Sequence, residues 1–282
     1  MKKTAVAILL LTFVLTALTG CAGPKSAPLP GDAYGERAHR HFLSGEMPKA
    51  IDSYGRAFAA ARRADNLPRA AQALSNIGRA YYEMERPDSA TLYLAKAYEE
   101  FTLLKNGALA GRAAAFLALN FANAGDGAQA QYWFNAAASS AGNSGDKRTG
   151  EHYLAVIRAM VDFRISSQIG NEQALGSALA FYRKKKDHTF LSTIYVLMAD
   201  AERSKGDCAS ASRYLHDALA SADKSGEMYK RSRALLRLSA INFCTGDEGA
   251  GKRYYARALD TAPRGVELPP VDEVASCSRA CR

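Results

Sequence analysis

Proline and β-branched runs are scarce through most of this sequence. Between Asp32 and Ala262 the only prolines are Pro48, Pro68 and Pro87, and no continuous β-branched run occurs. Proline interrupts helices, whereas Val, Ile and Thr favour strands. Alanine-rich runs such as RAAQAL and GRAAAFLALNFANA are strong helix formers. The sequence therefore predicts an all-α protein.

The chain also has few of the residue patterns that catalysis and metal binding require. Its five histidines are dispersed along the sequence: His39, His41, His152, His188 and His216. His39 and His41 are two residues apart and so point in different directions on a helix. No G-x-S-x-G, H-E-x-x-H, phosphate-loop or dinucleotide motif occurs. We expect no enzymatic activity, no metal and no cofactor.

One long apolar run stands at the start of the chain. The 17 uncharged residues from Thr4 to Gly20 follow Lys2 and Lys3, are marginal for a bilayer-spanning helix of roughly 20 residues, and have the layout of a secretory signal. The sequence LTGC, ending at Cys21, resembles the bacterial lipoprotein signal. The resemblance implies removal of residues 1–20 and acylation of Cys21. The alternative is an ordinary signal peptide that ends near a cysteine.

The segment that follows the cysteine is typical of a tether. Residues 22–31, AGPKSAPLPG, are rich in Pro, Gly, Ala and Ser, a composition that does not form a core. Ala22 stands where an aspartate would imply retention at the inner membrane, so the resemblance implies the periplasmic face of the outer membrane. The formal charge of +9 falls to +7 when Lys2 and Lys3 are removed. We expect no nucleic-acid partner outside the cytoplasm.

A motif recurs about every 40 residues. Its general form is G-[DE]-x₃-[AG]-x₃-[aromatic or Leu]-x₂-A, and its glycine recurs at Gly45, Gly125, Gly206 and Gly246. The copy YYEMERPDSATLYLAKAY lacks the glycine. A degenerate copy between about Asp146 and Lys186 completes six. A Gly-Asp corner ends one helix in a left-handed conformation and places an acid at the start of the next, so each unit is a helical hairpin.

These repeats resemble tetratricopeptide repeats in their small residues, large residues and alanines at fixed positions. The resemblance implies a right-handed superhelical solenoid of about six hairpins over residues 32–262, with 263–282 as a tail or short capping helix. Two departures are the period of 40 rather than about 34 and a fourth copy that fits only with about four residues inserted before Asn171. We expect a wider loop there.

By this resemblance, ligands bind along the concave surface formed by the first helix of each hairpin. The inner positions of the second and third repeats give these candidate groove residues: Asn76, Arg79, Tyr82, Glu83, Asn120 and Asn123. Asparagine amides both donate and accept hydrogen bonds, which suits an extended peptide. The alternative is a merely polar helix face. The paired Lys and Asn of the chaperone-type carboxylate clamp are absent, so an acidic C-terminal peptide is not indicated.

The remaining candidates are cysteines and one basic run. Besides Cys21 the sequence has four cysteines: Cys208, Cys244, Cys277 and Cys281. An even count in an exported protein suggests disulfides, and a Cys208–Cys244 bond would join the last two repeats; packed free thiols are the alternative. The basic run is Arg183, Lys184, Lys185 and Lys186. It is either a solvated helix end or a surface that attracts an acidic partner or anionic lipid.

Two functions fit these features. The first is a lipid-anchored scaffold that binds proteins in an envelope machine, such as one for outer-membrane assembly, pilus formation, secretion or cell-wall remodelling. The second is a sensor or carrier that binds a small ligand or short peptide. A continuous open groove favours the scaffold, whereas a deep apolar pocket near the fourth repeat favours the sensor.

Overall fold

The computed structural model describes residues 30–141 and 146–276, and thirteen α-helices occur within them. Their bounds are α1 Pro30–Leu43, α2 Met47–Arg63, α3 Leu67–Glu83, α4 Pro87–Leu103, α5 Gly107–Asn123, α6 Gly127–Ala141, α7 Lys147–Ser166, α8 Glu172–Lys185, α9 His188–Ser204, α10 Cys208–Ser225, α11 Met228–Cys244, α12 Glu248–Asp260 and α13 Val271–Ala275. The predicted leader, Cys21 and the tether up to residue 29 lie outside the described residues, as do Cys277 and Cys281. Within the described ranges, no helix combines the length and the apolar character needed to cross a bilayer.

The first twelve helices form six consecutive hairpins, from α1–α2 to α11–α12, and each hairpin packs on the next. This confirms the predicted all-α repeat solenoid. The fourth hairpin, α7–α8, differs in its proportions. Its helices have 20 and 14 residues, and residues 167–171 join them, whereas residues 44–46 suffice in the first hairpin. The wider loop in the fourth repeat is therefore confirmed.

The corners inside the hairpins have the predicted left-handed conformation. Gly45, Gly125, Gly206 and Gly246 have φ between 72° and 90°, a region that glycine enters without steric cost. In the second hairpin Glu85 adopts φ 56° instead. The residue after each corner immediately precedes the next helix; for example, Asp207 caps α10, and its carboxylate accepts the Ser210 backbone N–H at 2.9 Å. Such caps satisfy amide groups that the helix leaves unpaired.

Small residues let the two helices of a hairpin approach closely. In the second hairpin, a Cβ at Gly78 would lie 2.7 Å from Leu94 Cγ. Leu94 is fully buried between Ala90 and Ala97, which are also fully buried. The glycine of α3 and the leucine of α4 therefore fill one layer together, and the same pair of positions recurs along the array.

The array closes on itself, which the sequence did not predict. Tyr229, in the first helix of the sixth hairpin, is 1 % exposed and packs within the apolar core of the first hairpin. Its ring meets the ring of Phe42 edge-on, with 5.4 Å between centroids. The first and last hairpins are therefore in direct contact, and the inner face of the solenoid encloses a channel.

A second contact closes the array next to the first. Residues 263–265, which we call the C-terminal strap, lie against the corner of the first hairpin. The Arg264 backbone N–H donates to the Gly45 carbonyl at 2.8 Å, and the Arg264 guanidinium lies 3.5 Å from the Glu46 carboxylate. Lys49 and His41 also bind that carboxylate and lower the pKa of Glu46 to about 2.

Candidate functional site: the channel inside the superhelix

Three adjoining spaces lie on the concave side of the solenoid, and together we call them the inner channel. The first is a groove of about 780 Å³ between α1, α2 and α3. The second is a central cavity of about 170 Å³ lined by α3, α5, α7, α9 and α11. The third is a groove of about 440 Å³ that α13 borders. Arg79 lines the first two spaces, whereas Arg164, Asp200 and Arg237 line the second and third.

A row of polar side chains on α3 forms one wall of the first groove. The row consists of Asn66, Arg69, Gln72, Asn76 and Arg79. Their spacing of three or four residues places them along one helix face. The Gln72 amide donates to Asn76 Oδ1 at 3.2 Å, a bond that does not use the Asn76 NH₂ group or the Gln72 side-chain oxygen. This wall therefore offers both hydrogen-bond donors and acceptors.

Between the first groove and the central cavity lies a closing cluster of Arg79, Glu227 and Tyr229. The Arg79 guanidinium donates to the Tyr229 hydroxyl at 2.9 Å and to Glu227 Oε1 at 3.3 Å. The same Tyr229 hydroxyl donates to Glu227 Oε1 at 2.8 Å. Burial raises the pKa of Tyr229 well above its usual value, so this phenol stays protonated and remains a donor.

A second cation, Lys230, also pairs with the carboxylate of the closing cluster. The Lys230 ammonium lies 3.0 Å from Glu227 Oε2 and donates to the Thr189 carbonyl at 2.7 Å. Burial alone would raise the pKa of Glu227, but Lys230 and Arg79 together lower it. The carboxylate is therefore ionised at neutral pH, and it holds the start of α11 against α3.

Two further ion pairs continue along the cavity wall. Arg233 lies 2.7 Å from the Glu83 carboxylate, which joins α11 to α3. Arg237 donates from Nε to both carboxylate oxygens of Asp200, at 2.8 and 3.0 Å, which joins α11 to α9. These pairs and the closing cluster bring elements of distant sequence to one polar centre.

The structure brings most of the predicted groove residues to the inner channel. Asn76 and Arg79 line the first groove, while Tyr82 and Glu83 line the central cavity, where they are 5 % and 6 % exposed. Asn123 accepts a hydrogen bond from Arg164, a residue of the cavity wall, at 2.5 Å.

Asn120, the remaining candidate, lies at a helix interface and lines none of the three spaces. Asn120 is only 4 % exposed. Its amide donates to the Pro87 carbonyl at 2.9 Å and to the Thr91 hydroxyl at 2.8 Å. The side chain therefore fastens α5 to the start of α4 and does not face the inner channel.

The basic residues of the cavity outside the second repeat were not predicted from the sequence: Arg112, Arg164, Lys230, Arg233 and Arg237. Two of these residues could have been predicted from the repeat period. Arg112 lies 40 residues after the groove residue Gln72, and Arg233 lies 121 residues after Arg112, close to three periods. Repeat register alone would have placed both on the inner face.

The basic run and the cysteines lie elsewhere. Arg183, Lys184 and Lys185 end α8, and Lys186 follows in the left-handed conformation. Two of the four make internal contacts, because Arg183 Nε donates to the Tyr195 hydroxyl at 2.9 Å and Lys185 donates to the Thr149 hydroxyl at 2.7 Å.

Of the four cysteines, two lie in the described residues. Cys208 begins α10 and Cys244 ends α11, and both belong to the last two hairpins that the predicted disulfide would join. Cys277 and Cys281 lie outside the described residues. The pairing of the four stays a prediction, which peptide mapping under non-reducing conditions tests directly. As for metals, no group of three or more His, Cys, Asp or Glu ligands occurs among residues 30–141 and 146–276.

Stacked hairpins around a polar channel define a helical-repeat protein of the solenoid class. Residues 31–99, which span most of the first two hairpins, match the tetratricopeptide repeat family. This part of the chain is therefore similar to tetratricopeptide repeats, and the structure continues helical hairpins through six copies within the described residues. No curated protein matches the sequence.

Two solved structures are similar to this chain. One is the Rap conjugation gene regulator of the plasmid pLS20 in complex with the Phr* peptide, with 14 % identity, a TM-score of 0.55, and coverage of 86 % of this chain and 79 % of that chain. Another is the apo form of RapI, with 17 % identity, a TM-score of 0.47, and coverage of 81 % and 73 %. At these identities the likeness concerns the fold alone.

Proposed function

We propose that this chain is a bacterial lipoprotein that binds a segment of a partner protein in its inner channel. The observation that carries the proposal is the groove of about 780 Å³ with the polar row of α3 along one wall. An extended peptide presents backbone N–H and C=O groups in alternation, and the amides of Gln72 and Asn76 can pair with both.

The anchor is a separate part of the proposal. Acylation of Cys21 would hold the repeats near the periplasmic face of the outer membrane on a tether of about ten residues, which spans at most about 35 Å. Anchoring raises the local concentration of the binding surface for partners at the same membrane. The role is then that of a scaffold or adaptor within an envelope machine.

The structural neighbour with the TM-score of 0.55 agrees with a peptide ligand, because that regulator was solved in complex with the Phr* peptide. That peptide belongs to the neighbour. For this chain, the geometry of the first groove supports the same kind of ligand independently, through the polar row on α3.

Site-specific photo-crosslinking in intact cells tests the binding site. A photoreactive residue at Asn76 is expected to capture a distinct protein, whereas one at Gln129, exposed on the second helix of the third hairpin, is not. A synthetic peptide from the captured region should then compete with the crosslink. Equal capture from both positions, or capture of only the chain itself or lipid, contradicts the proposal.

A second experiment tests the anchor without involving the groove. Metabolic labelling with an alkynyl fatty acid should label the wild-type protein, and the Cys21→Ser variant should lose both the label and the association with the outer-membrane fraction. An unlabelled wild-type protein would contradict lipidation while leaving the peptide-binding proposal to the crosslinking test.

A further inference from the structure

The central cavity differs from the first groove in charge and in size. Six basic side chains line it, from Arg79, Arg112, Arg164, Lys230, Arg233 and Arg237, against two carboxylates, from Glu83 and Asp200. Glu227 pairs with Arg79 and Lys230 behind the wall, so the cations around the cavity outnumber the carboxylates by three. Arginine stays protonated at every physiological pH.

The carboxylates present are already engaged. Glu83 binds Arg233, and Asp200 binds Arg237. Arg112 has no carboxylate partner within the described parts of the chain, and Arg164 binds the neutral amide of Asn123. Both residues are solvent-exposed at the cavity rim, so their charges are hydrated in the free protein and remain available to a ligand. The cavity is therefore electrostatically complementary to an anion.

Unused hydrogen-bonding groups point to the same ligand. Ser192 is fully buried in α9 and lines the cavity, yet its hydroxyl oxygen has no hydrogen-bond partner among the described residues. The same holds for the buried hydroxyl of Tyr153 and for the Nε of Arg79. Burial raises the pKa of Tyr153 to about 12, partly offset by Arg112, so its hydroxyl is a donor at neutral pH. Unsatisfied buried donors are rare and require an explanation.

The rest of the wall is apolar and limits the size of an occupant. Phe116, Val156, Met160 and Phe190 contribute hydrophobic surface, and the rings of Tyr153 and Phe190 pack edge to face at 5.8 Å. The volume is about 170 Å³, and an apolar cavity of about 150 Å³ accommodates one benzene molecule.

We propose that the central cavity is a binding site for a small organic anion, with one acid group near Arg112, Tyr153 and Ser192 and an apolar body about the size of a single ring. This site is distinct from the peptide groove along α3, although Arg79 borders both. Its occupant would sit where the second hairpin meets the last and add acceptor atoms for the cations and hydroxyls that have no carboxylate partner.

Calorimetry on the full-length protein in detergent tests the site. The probes are benzoate, hexanoate and phenyl phosphate, and benzamide is the neutral counterpart of benzoate. We expect saturable 1:1 binding of at least one anion and binding of benzamide weaker by about tenfold or more, because the neutral amide forms no charge-assisted hydrogen bond.

Variants assign the site to this cavity. Arg112→Gln and Tyr153→Phe should each weaken binding of the anion by about tenfold, whereas Arg56→Gln, on the outer surface of α2, should leave it unchanged. Arg112 is exposed enough that its replacement leaves the core intact, and Tyr153→Phe removes only a hydroxyl that has no partner among the described residues.

Three outcomes would overturn the proposal. They are the absence of saturable binding by all three anions, equal binding of benzamide and benzoate, and unchanged affinity in both cavity variants. A terminal carboxylate on a peptide carries the same acid group, so a pentapeptide ending in phenylalanine is compared with its C-terminal amide. Binding of the free-acid peptide alone, without any small anion, would also contradict the small-molecule assignment.

Discussion

Among single residues, Tyr229 makes the most varied contacts in the closing cluster. Its ring packs against Phe42 at 5.4 Å, and its hydroxyl accepts from Arg79 and donates to Glu227. One side chain therefore joins an apolar core to a buried ion pair. Residues that combine these roles respond strongly to small chemical changes, because neither partner of the hydroxyl can turn to solvent.

We expect Tyr229→Phe to lower the free energy of unfolding by about 1–3 kcal/mol, since Arg79 and Glu227 each lose a buried hydrogen-bond partner. Urea unfolding followed by circular dichroism measures this change. The matched control is Tyr132→Phe, because Tyr132 is 62 % exposed and its change should be within about 0.5 kcal/mol. Equal effects of the two substitutions would show that the closing cluster does not stabilise the fold.

The Glu227 carboxylate predicts a dependence of stability on pH. Lys230 and Arg79 lower its folded-state pKa despite burial, below an unfolded value of about 4.3. At pH values above the unfolded-state pKa, a carboxylate with a lowered folded-state pKa contributes its full stabilisation. This contribution is lost as the pH falls through the folded-state pKa. The wild type should thus lose more stability on acidification below about pH 4.3 than Glu227→Gln.

Unfolding in urea at a series of pH values between neutral and acidic compares the two proteins. Glu248→Gln serves as the control, because Glu248 is largely exposed and its pair with Lys252 spans 3.6 Å; such pairs contribute little. If the free energy of unfolding falls equally on acidification in the wild type and in Glu227→Gln, the role given to this carboxylate is contradicted.

Single residues were predictable where repeat register defined them and not elsewhere. Asn120 illustrates this, because it lies 40 residues after Ala80, which is fully buried. Comparison of those two positions would have assigned Asn120 to the helix interface. Tyr229 had no such signal, since its buried partner lies in another hairpin and not in its own.

At the scale of helices and hairpins, the glycine–leucine layer of the second repeat sets how closely α3 and α4 approach. A methyl group at Gly78 would lie 2.7 Å from Leu94 Cγ and 3.0 Å from the Leu94 backbone nitrogen. Leu94 is fully buried, so it has no free space into which it can move. The helices must separate to accept any side chain at this position.

We expect Gly78→Ala to destabilise the protein by about 1–3 kcal/mol through overpacking. Gly55→Ala, in the middle of α2, is the opposite case, because a methyl group there would have no described atom within 4 Å apart from its own helix backbone. That substitution should stabilise the helix by about 0.5–1 kcal/mol. Thermal unfolding distinguishes the two, and a destabilised Gly55→Ala together with a neutral Gly78→Ala would contradict this account.

Helices and hairpins were the features most accessible from the sequence. Corners such as Gly206-Asp207 combine a left-handed residue with a capping carboxylate, and both properties follow from residue type alone. The sequence located the fourth hairpin but not the residue at its corner. That residue is Ser167, which adopts the left-handed conformation without being a glycine. The strap at 263–265 is irregular and offered no periodicity to detect.

On the scale of the whole molecule, the contacts between α3 and α11 make the solenoid a closed structure. Open repeat arrays are stabilised by nearest neighbours only, but here Glu83 and Arg233 form an ion pair across 150 positions of sequence. The curvature that brings α11 to α3 accumulates over the hairpins that separate them in sequence. No single repeat encodes that sum, which explains why the sequence did not predict closure.

A charge exchange tests closure directly. Arg233→Glu places two carboxylates in contact at the end-to-end interface, so we expect the array to open and its radius of gyration to increase. Adding Glu83→Arg restores opposite charges and should return the radius toward the wild-type value. Small-angle X-ray scattering measures both, with circular dichroism to confirm that helix content is retained. An unchanged radius in Arg233→Glu would contradict closure in solution.

Closure also affects the order in which the protein reaches its final form. Phe42 and its partner Tyr229 lie 187 positions apart, so the first hairpin can form before the sixth supplies the Tyr229 ring. Until the sixth hairpin docks, the first hairpin exposes an aromatic surface that the closed structure covers. Transiently exposed hydrophobic surface promotes aggregation, so chains that lack a docked sixth hairpin are the ones expected to aggregate.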